Sequence, residues 1–157
     1  MGEAYFYHLT RQPLEEALPK LLDLSLSRGW RVCVRALNDS YIDWLDTQLW
    51  SGDASGFLPH GVAGGDHDAL QPVLLTTAAE VSNDPAVVMA VQGASVTADE
   101  VRRLERVCVL FDGGDAAALA NAREQWRNLT AAGCGAQYWS DEDGGWVKKS
   151  ARPAAEP

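Results

Sequence analysis

Short apolar runs alternate along this chain with longer segments of helical periodicity, and this alternation narrows the possible folds more than any other feature. The apolar runs contain mostly Val, Leu, Ala and Cys with few polar interruptions, which is typical of strands buried on both faces of a sheet. They predict strands at residues 31–37, 73–77, 86–92 and 106–112. A short aromatic run predicts a first strand at residues 5–9, and residues 136–140 and 146–148 are predicted as final strands around a turn at 143–145. Helices are predicted at residues 14–28, 97–105 and 116–132. A further helix is predicted from an N-cap at 38–40 to residue 50.

This order of elements predicts an α/β fold. Strands and helices that alternate, with continuous apolar strands, are expected to form three layers with a mostly parallel central sheet. We predict a single α/β domain over residues 1–149, with about seven strands and helices on both faces of the sheet. Residues 150–157 are rich in Ala, Pro and Glu, and we expect them to form a disordered tail.

Some element boundaries carry specific signals. Gly29 is expected to end the first helix. Pro19 lies inside that helix and is expected to kink or restart it. Thr97 and Glu100 have the spacing of a capping box at the start of a helix. The segment 51–72 is rich in Gly, Asp and His, and it is long enough to predict a functional loop.

Charge and cysteine content restrict the function and the cellular location. The chain has 13 Lys and Arg against 22 Asp and Glu, a formal net charge of -9, which disfavours a general electrostatic surface for nucleic acid. Cys33, Cys108 and Cys134 are isolated and odd in number, so we expect buried thiols in a reducing compartment. No apolar run approaches transmembrane length. These features predict a cytoplasmic protein.

Signatures of nucleotide, metal and catalytic sites are weak. The first predicted strand is followed by Leu-Thr-Arg-Gln-Pro, without the glycines of a phosphate-binding loop, and the glycines after Asp112 are flanked by a second aspartate. His60, Asp66, His67 and Asp68 lie in a Gly-rich loop without metal-site spacing, which favours a solvated loop. His60 is the exception, because it follows Pro59 directly and is expected to hydrogen-bond loop backbone. We predict no catalytic residue, metal or cofactor. The alternative is a small nucleotide- or metal-dependent α/β enzyme of nucleic-acid metabolism.

Two segments are candidates for protein binding. In the helix at 116–132, Leu119, Ala122, Trp126 and Leu129 form one stripe, with arginines on a neighbouring face. The plain interpretation is a core tryptophan with solvated arginines. The functional interpretation is a cationic, aromatic-edged groove for an acidic and hydrophobic peptide.

The second segment joins a helix-ending tryptophan to an apolar Phe-Leu-Pro in the long loop. Trp50 and Phe57, on a backbone that Pro59 stiffens, are expected to anchor a partner rather than to form an active site.

A set of short motifs spans most of the chain. It comprises Phe6-Tyr7-His8-Leu9, Gly29-Trp30-Arg31-Val32, Leu45-Asp46 with Leu49-Trp50, Phe57-Leu58-Pro59-His60-Gly61 before Pro72-Val73, Ala122-Arg123-Glu124-Gln125-Trp126 with Ala132-Gly133, and Tyr138-Trp139 with Trp146. Each motif alone is weak. The set, from about residue 5 to residue 148, resembles the chi subunit of bacterial DNA polymerase III, an accessory protein of the clamp-loader assembly.

The resemblance implies a Rossmann-like α/β fold without a working nucleotide site, and a non-catalytic role in DNA replication. It implies a monomer that forms a heterodimer with the psi subunit, without direct nucleic-acid or membrane binding. On the psi side, the implied contacts with psi, or with another clamp-loader or helicase protein, fall on Trp50, Phe57, Leu58 and Pro59.

The other implied partner is the acidic C-terminal tail of single-stranded DNA-binding protein. This tail site falls on Arg123 and Trp126, and the contact with the carboxylate rests either on Arg123 alone or on Arg123 helped by Arg127. One position departs from the family pattern, because Leu119 stands where some relatives have a lysine one helical turn before the arginine. A third interpretation makes the arginines of this region, including Arg102, Arg103 and Arg106, a direct site for single-stranded DNA, which the acidic net charge disfavours.

Overall fold

The computed structural model describes residues 2–51 and 59–155, and the elements below lie within them. The strands are β1 (Glu3–Leu9), β2 (Val32–Arg35), β3 (Gly61–Val62), β4 (Val73–Thr76), β5 (Val87–Ala90), β6 (Arg106–Asp112), β7 (Gly135–Ser140) and β8 (Val147–Arg152). The helices are α1 (Leu14–Ser27), α2 (Asp39–Trp50), α3 (Ala98–Arg103) and α4 (Ala116–Ala131). A short 3-10 helix spans Asp68–Leu70.

The described strands form one sheet of eight in the order β3-β4-β2-β5-β6-β1-β7-β8. Every pairing is parallel except that of β7 with β8. The predicted Rossmann-like α/β class, with its mostly parallel sheet, is therefore confirmed. The sheet has one strand more than the approximate prediction because Gly61–Val62, inside the long loop, pairs with β4 at the edge.

Helices cover both faces of the sheet, because alternate strand residues face opposite sides. Helices α1 and α2 pack on the side of Val32, Val34 and Leu110. Helices α3 and α4 pack on the side of Cys33 and Val109. Two apolar cores result, one on each side, which is the three-layer arrangement expected for continuous apolar strands.

Most of the predicted boundary signals act as expected. Gly29, at φ +80°, follows α1, and the N–H of Trp30 donates a hydrogen bond to the carbonyl of Ser25. Thr97 and Glu100 form both halves of a capping box at the start of α3. Pro19 is predicted to kink or restart the helix; it does not restart it, because α1 runs from Leu14 to Ser27 as one element through this residue.

The carboxyl-terminal strand is longer than predicted. Ser150, Ala151 and Arg152 pair with Tyr138, Gln137 and Ala136 of β7. The expected boundary after residue 149 therefore falls inside β8, and residues 150–152 are sheet rather than disordered tail. Because all six residues of β8 are exposed, backbone hydrogen bonds to β7, rather than burial, hold these residues in the sheet.

All three cysteines are free and buried, as the sequence predicts. Burial raises the pKa of Cys33 to about 11, so this side chain is a neutral thiol at physiological pH. None of the helices within residues 2–51 and 59–155 combines the length and the apolar character that crossing a membrane requires.

Candidate functional site

Helix α4 presents its predicted apolar stripe to the sheet. Asp115 caps the helix by accepting hydrogen bonds from the N–H groups of Ala117 and Ala118. Ala122 and Leu129 are buried in the core on this side of the sheet. The partly buried Leu119 and Trp126 pack against the same core. The periodicity of the sequence therefore predicted the inward face of α4 correctly.

Trp126 belongs to a cluster of rings between α4 and the sheet. Its ring lies 5.4 Å from the ring of Phe6 and 6.1 Å from that of Tyr138, edge-to-face in both cases. A hydrogen bond of 2.6 Å joins the hydroxyl of Tyr138 to Nδ1 of His8. Phe111 packs against both His8 and Tyr138. These contacts hold Trp126 and Tyr138 in place while leaving both partly exposed.

Arg123 and Arg127 lie at the flank of α4 that faces β7. Successive helix residues are separated by about 100°, so Arg123 and Trp126 are neighbours around the helix. The opposite flank is occupied by Gln125, which is buried and hydrogen-bonds to the loop before α3. Both arginines are exposed, and neither guanidinium has a hydrogen bond or ion pair within the described residues.

An electrostatic effect connects Arg123 with the ring cluster. Burial raises the pKa of Tyr138, and the positive charge of Arg123 acts in the opposite direction. A guanidinium therefore lies near a neutral phenol and next to an indole. We call the surface formed by Leu119, Arg123, Trp126 and Tyr138 the α4–β7 surface.

The other basic residues noted in the sequence do not join the α4–β7 surface. The side chain of Arg102 donates a hydrogen bond of 2.6 Å to the carbonyl of Ala132, just past the end of α4. The guanidinium of Arg106 lies 4.0 Å from the ring centre of Tyr5, which packs against the core on the opposite side of the sheet. A continuous single-stranded DNA site built from all of these arginines is therefore disfavoured.

The second predicted surface lies at the end of α2. Trp50 is the last residue of this helix and its side chain is 55% exposed. Its ring lies 4.3 Å from the ring of the buried His60. Nε2 of His60 lies 3.1 Å from Oδ1 of Asp46, one turn before Trp50 on the same helix. His60 thus lies beside a carboxylate and an indole, and its expected hydrogen bond to loop backbone stays a prediction.

Part of this second surface lies outside the described residues. Phe57 and Leu58, which the resemblance groups with Trp50, belong to the undescribed stretch 52–58. Pro59 is described and partly buried. We call Trp50 with Pro59 the α2 surface. His60, the residue after Pro59, contacts Trp50 through the rings of the two side chains.

Comparison with known protein families decides what kind of protein carries these surfaces. Residues 1–137 match the model of the family described as DNA polymerase III chi subunit, HolC. The chain belongs to the chi subunit family. It is therefore related to an accessory subunit of the replicative polymerase, and its role is in DNA replication. A search of curated protein sequences found no significant match.

The family match covers most residues of the two candidate surfaces but ends before the last strand of the sheet. Trp50, Arg123 and Trp126 lie inside the matched residues, whereas Tyr138 and the whole of β8 lie beyond residue 137. The carboxyl-terminal part of the sheet is thus a feature of this chain that the family match does not include.

The nucleotide-binding position of this chi-family fold is filled by the protein itself. In nucleotide-binding proteins of related topology, backbone N–H groups after the first strand bind phosphate. Here the N–H groups of Thr10, Arg11 and Gln12 and the hydroxyl of Thr10 all donate to the carboxylate of Asp141. Asp141 is fully buried at the end of β7. Its carboxylate accepts hydrogen bonds from the N–H groups that a phosphate would need.

These hydrogen bonds also hold Asp141 in its charged form. Burial by itself opposes the charge, but the hydrogen bonds from Thr10, Gln12 and Arg11 outweigh it and lower the pKa of this carboxyl. A crevice of ≈ 810 Å³ opens nearby, and its charged lining residues are three acidic ones, Glu15, Asp112 and Asp115, and one basic one, Arg11. Negative charge at both places disfavours a phosphate ligand, and with it the nucleotide-dependent alternative.

One metal candidate of the long loop, Asp68, has a structural role. The carboxylate of Asp68 accepts hydrogen bonds from the N–H groups of Gly64 and Gly65 and so shapes the turn before the 3-10 helix. In the described parts of the chain, no group of three or more His, Cys, Asp or Glu side chains is arranged to hold a metal ion.

Two important residues could not be found from the sequence. Tyr138 completes the ring cluster, and Asp141 closes the phosphate position, but both lie more than a hundred residues from their partners in β1 and the following turn. Their roles depend on β7 pairing next to β1. The sequence signals strands but not their lateral order, so no local pattern could identify these contacts.

Proposed function

We propose that this chi-family protein is a cytoplasmic, non-catalytic adaptor that links single-stranded DNA-binding protein to the clamp loader. The observation that carries the proposal is the exposed guanidinium of Arg123 next to the partly exposed rings of Trp126 and Tyr138. This combination fits a peptide whose C-terminal residue is apolar and whose other residues are acidic.

Each part of such a peptide has a counterpart on the α4–β7 surface. A guanidinium can bind a terminal carboxylate through two parallel hydrogen bonds. The rings of Trp126 and Tyr138, with Leu119, offer an apolar floor for the last side chain. Leu119 adds apolar area where some relatives have a lysine, so the carboxylate contact relies on Arg123, with Arg127 one turn further along α4.

Arg123→Ala tests the tail site directly. We expect this variant to bind a synthetic peptide of several aspartates before a C-terminal phenylalanine more weakly by about 1.5 to 3 kcal/mol, because a hydrogen-bonded charge pair is lost. Isothermal titration calorimetry against the wild-type protein measures the difference.

A matched control separates this contact from the loss of net charge. Arg103→Ala removes an equal charge from an exposed arginine on α3, and we expect unchanged peptide affinity. If Arg123→Ala binds as tightly as the wild type, or if Arg103→Ala is equally weakened, the assignment of the tail site is wrong.

For the clamp-loader side we propose the α2 surface. Trp50 is exposed to 55%, and tryptophan is among the residues that most often dominate binding at protein interfaces. We propose that Phe57 and Leu58 join Trp50 and Pro59 in contacting psi or another clamp-loader or helicase protein. The protein would then be a monomer that forms a heterodimer with this partner.

The placement of the two surfaces supports a linking role. Helix α2 packs near β3 and β4, whereas α4 packs on β6, β1 and β7, and the two helices lie on opposite faces of the sheet. With about 4.8 Å between neighbouring strands, β4 and β7 are roughly 24 Å apart across the sheet. Two partners can therefore bind without competing for the same residues.

A further inference from the structure

Strand β8 is an exposed, basic edge in an acidic protein. Its six residues, Val147–Arg152, are all exposed, and three of them are Lys or Arg, in a chain whose net charge is -9. The strand lies beyond the residues that match the family. None of its residues belongs to either core, so packing requirements do not explain why the strand is basic.

The register with β7 determines which side chains of β8 face the α4 side of the sheet. Residues directly opposite each other in an antiparallel pair project to the same face. Ser150 lies opposite Tyr138, and Arg152 lies opposite Ala136, which is buried in the core beneath α4. Ser150 and Arg152 therefore face the same side of the sheet as the α4–β7 surface.

The other two basic residues of β8 are placed differently. Lys148 lies opposite Trp139, which packs against the core on the other side of the sheet. Lys149 lies at the register shift between the strands, and its amine is 2.7 Å from Glu142 and 3.5 Å from Asp143. Arg152 has no hydrogen bond or ion pair from its side chain to any residue that the structure describes.

The α4-facing side of β8 is continuous with the α4–β7 surface. Arg123 and Trp126 lie on the flank of α4 next to Tyr138, and β8 is the next strand outward. From a rise of about 3.4 Å per residue and a strand spacing of about 4.8 Å, the Cα atoms of Tyr138 and Arg152 are roughly 8 Å apart. An extended peptide covers this distance in about two or three residues.

We propose that Ser150 and Arg152 bind the acidic residues that precede the C-terminal residue of the tail peptide. This inference rests on the proposed tail site, since it places the end of the peptide at Arg123 and Trp126. The hydroxyl of Ser150 donates to a carboxylate, and Arg152 attracts the next acidic side chain. The α4-facing side of β8 thus extends the tail site beyond the family-matched residues.

Two variants with the same change in charge test this extension. Arg152→Ser removes a cation that faces α4, and Lys148→Ser removes one that faces the other side of the sheet. Two peptides are titrated into each full-length variant: a long one with several aspartates before a C-terminal phenylalanine, and a short one that keeps the phenylalanine and one aspartate.

The expected pattern is specific to one variant and one peptide. Arg152→Ser binds the long peptide about two- to fivefold more weakly, the range measured for exposed charge pairs, and binds the short peptide as the wild type does. Lys148→Ser leaves both affinities unchanged. Thermal unfolding of each variant checks that β8 still pairs.

Other outcomes separate this inference from the proposed function. If the long peptide binds Arg152→Ser as it binds the wild type, or if both variants are weakened equally, the inference is overturned and the basic edge serves solubility or long-range attraction instead. If Arg123→Ala nevertheless loses affinity for both peptides, the tail site itself stands. If neither peptide binds the wild type, the proposed function fails first.

Discussion

At the scale of single residues, Asp141 best explains how this fold differs from a nucleotide-binding one. A buried carboxylate accepts hydrogen bonds from three consecutive backbone N–H groups, those of Thr10, Arg11 and Gln12. Such donors would be costly to bury without a partner. The protein satisfies them internally, so the turn after β1 is stable without a phosphate.

Asp141→Asn is expected to lower the free energy of unfolding by about 2 kcal/mol or more at neutral pH. The amide keeps one acceptor oxygen but turns an NH2 group towards N–H donors, and the charge is lost. Urea denaturation of the two proteins measures the difference. Asp143→Asn, at an exposed aspartate in the turn after β7, is the control and should change stability little.

The effect of Asp141 should depend on pH in a defined direction. Because the pKa of this carboxyl is lowered in the folded state, its stabilisation is fully present above the unfolded pKa of about 3.9 and is lost as the pH falls through the lower folded value. The stability gap between wild type and Asp141→Asn should therefore be full at pH 7 and shrink in acid. A gap that stays constant or grows as the pH falls below the unfolded pKa of about 3.9 would contradict this explanation.

At the scale of elements, the sequence predicts α4 and β6 well because their patterns are strong. The predicted strand at 106–112 has the observed bounds, and α4 differs from its prediction by one residue at its end. The stripe of Leu119, Ala122, Trp126 and Leu129 follows directly from helical periodicity. The sequence predicts the inward face of α4 well because the apolar residues that become buried also have helical spacing.

The sequence is least informative for strands that are held by hydrogen bonds rather than by burial. Strand β3 has only two residues and was not predicted, and the predicted strand at 146–148 covers only the first two of the six exposed residues of β8. Both exist because a neighbouring strand presents unpaired N–H and C=O groups. Their positions depend on the order of strands in the sheet, which local patterns do not encode.

The α2 element carries its own prediction. We expect Trp50→Ala to weaken binding to the purified psi protein or clamp-loader assembly by about 2 kcal/mol or more, because an exposed aromatic anchor is removed. Affinity for the tail peptide should stay unchanged. Surface plasmon resonance with each partner in turn measures both effects.

A second tryptophan on the same helix is the matched control. Trp44 is 40% exposed and lies six residues before Trp50, about 120° away around α2. Trp44→Ala should bind both partners normally. If it loses the clamp-loader partner as Trp50→Ala does, the interface lies elsewhere on α2; if Trp50→Ala loses both partners, the loss reflects misfolding, which circular dichroism would reveal.

At the scale of the whole molecule, the two surfaces lie towards opposite ends and on opposite faces of the sheet. The α2 surface is near β3 and β4, and the α4–β7 surface is near β7 and β8. Uninterrupted parallel pairing from β4 through β2, β5, β6 and β1 to β7 connects the two ends by backbone hydrogen bonds. Such a rigid body is suited to holding two partners at a fixed separation.

A bridging assay shows whether this protein holds both partners at once. Single-stranded DNA-binding protein is immobilised, purified clamp-loader assembly is added, and its retention is recorded with and without this protein. We expect retention with the wild type. Arg123→Ala and Trp50→Ala should each reduce it strongly, although each still binds one partner. Retention that is independent of the added protein, or that neither substitution reduces, would contradict the adaptor account.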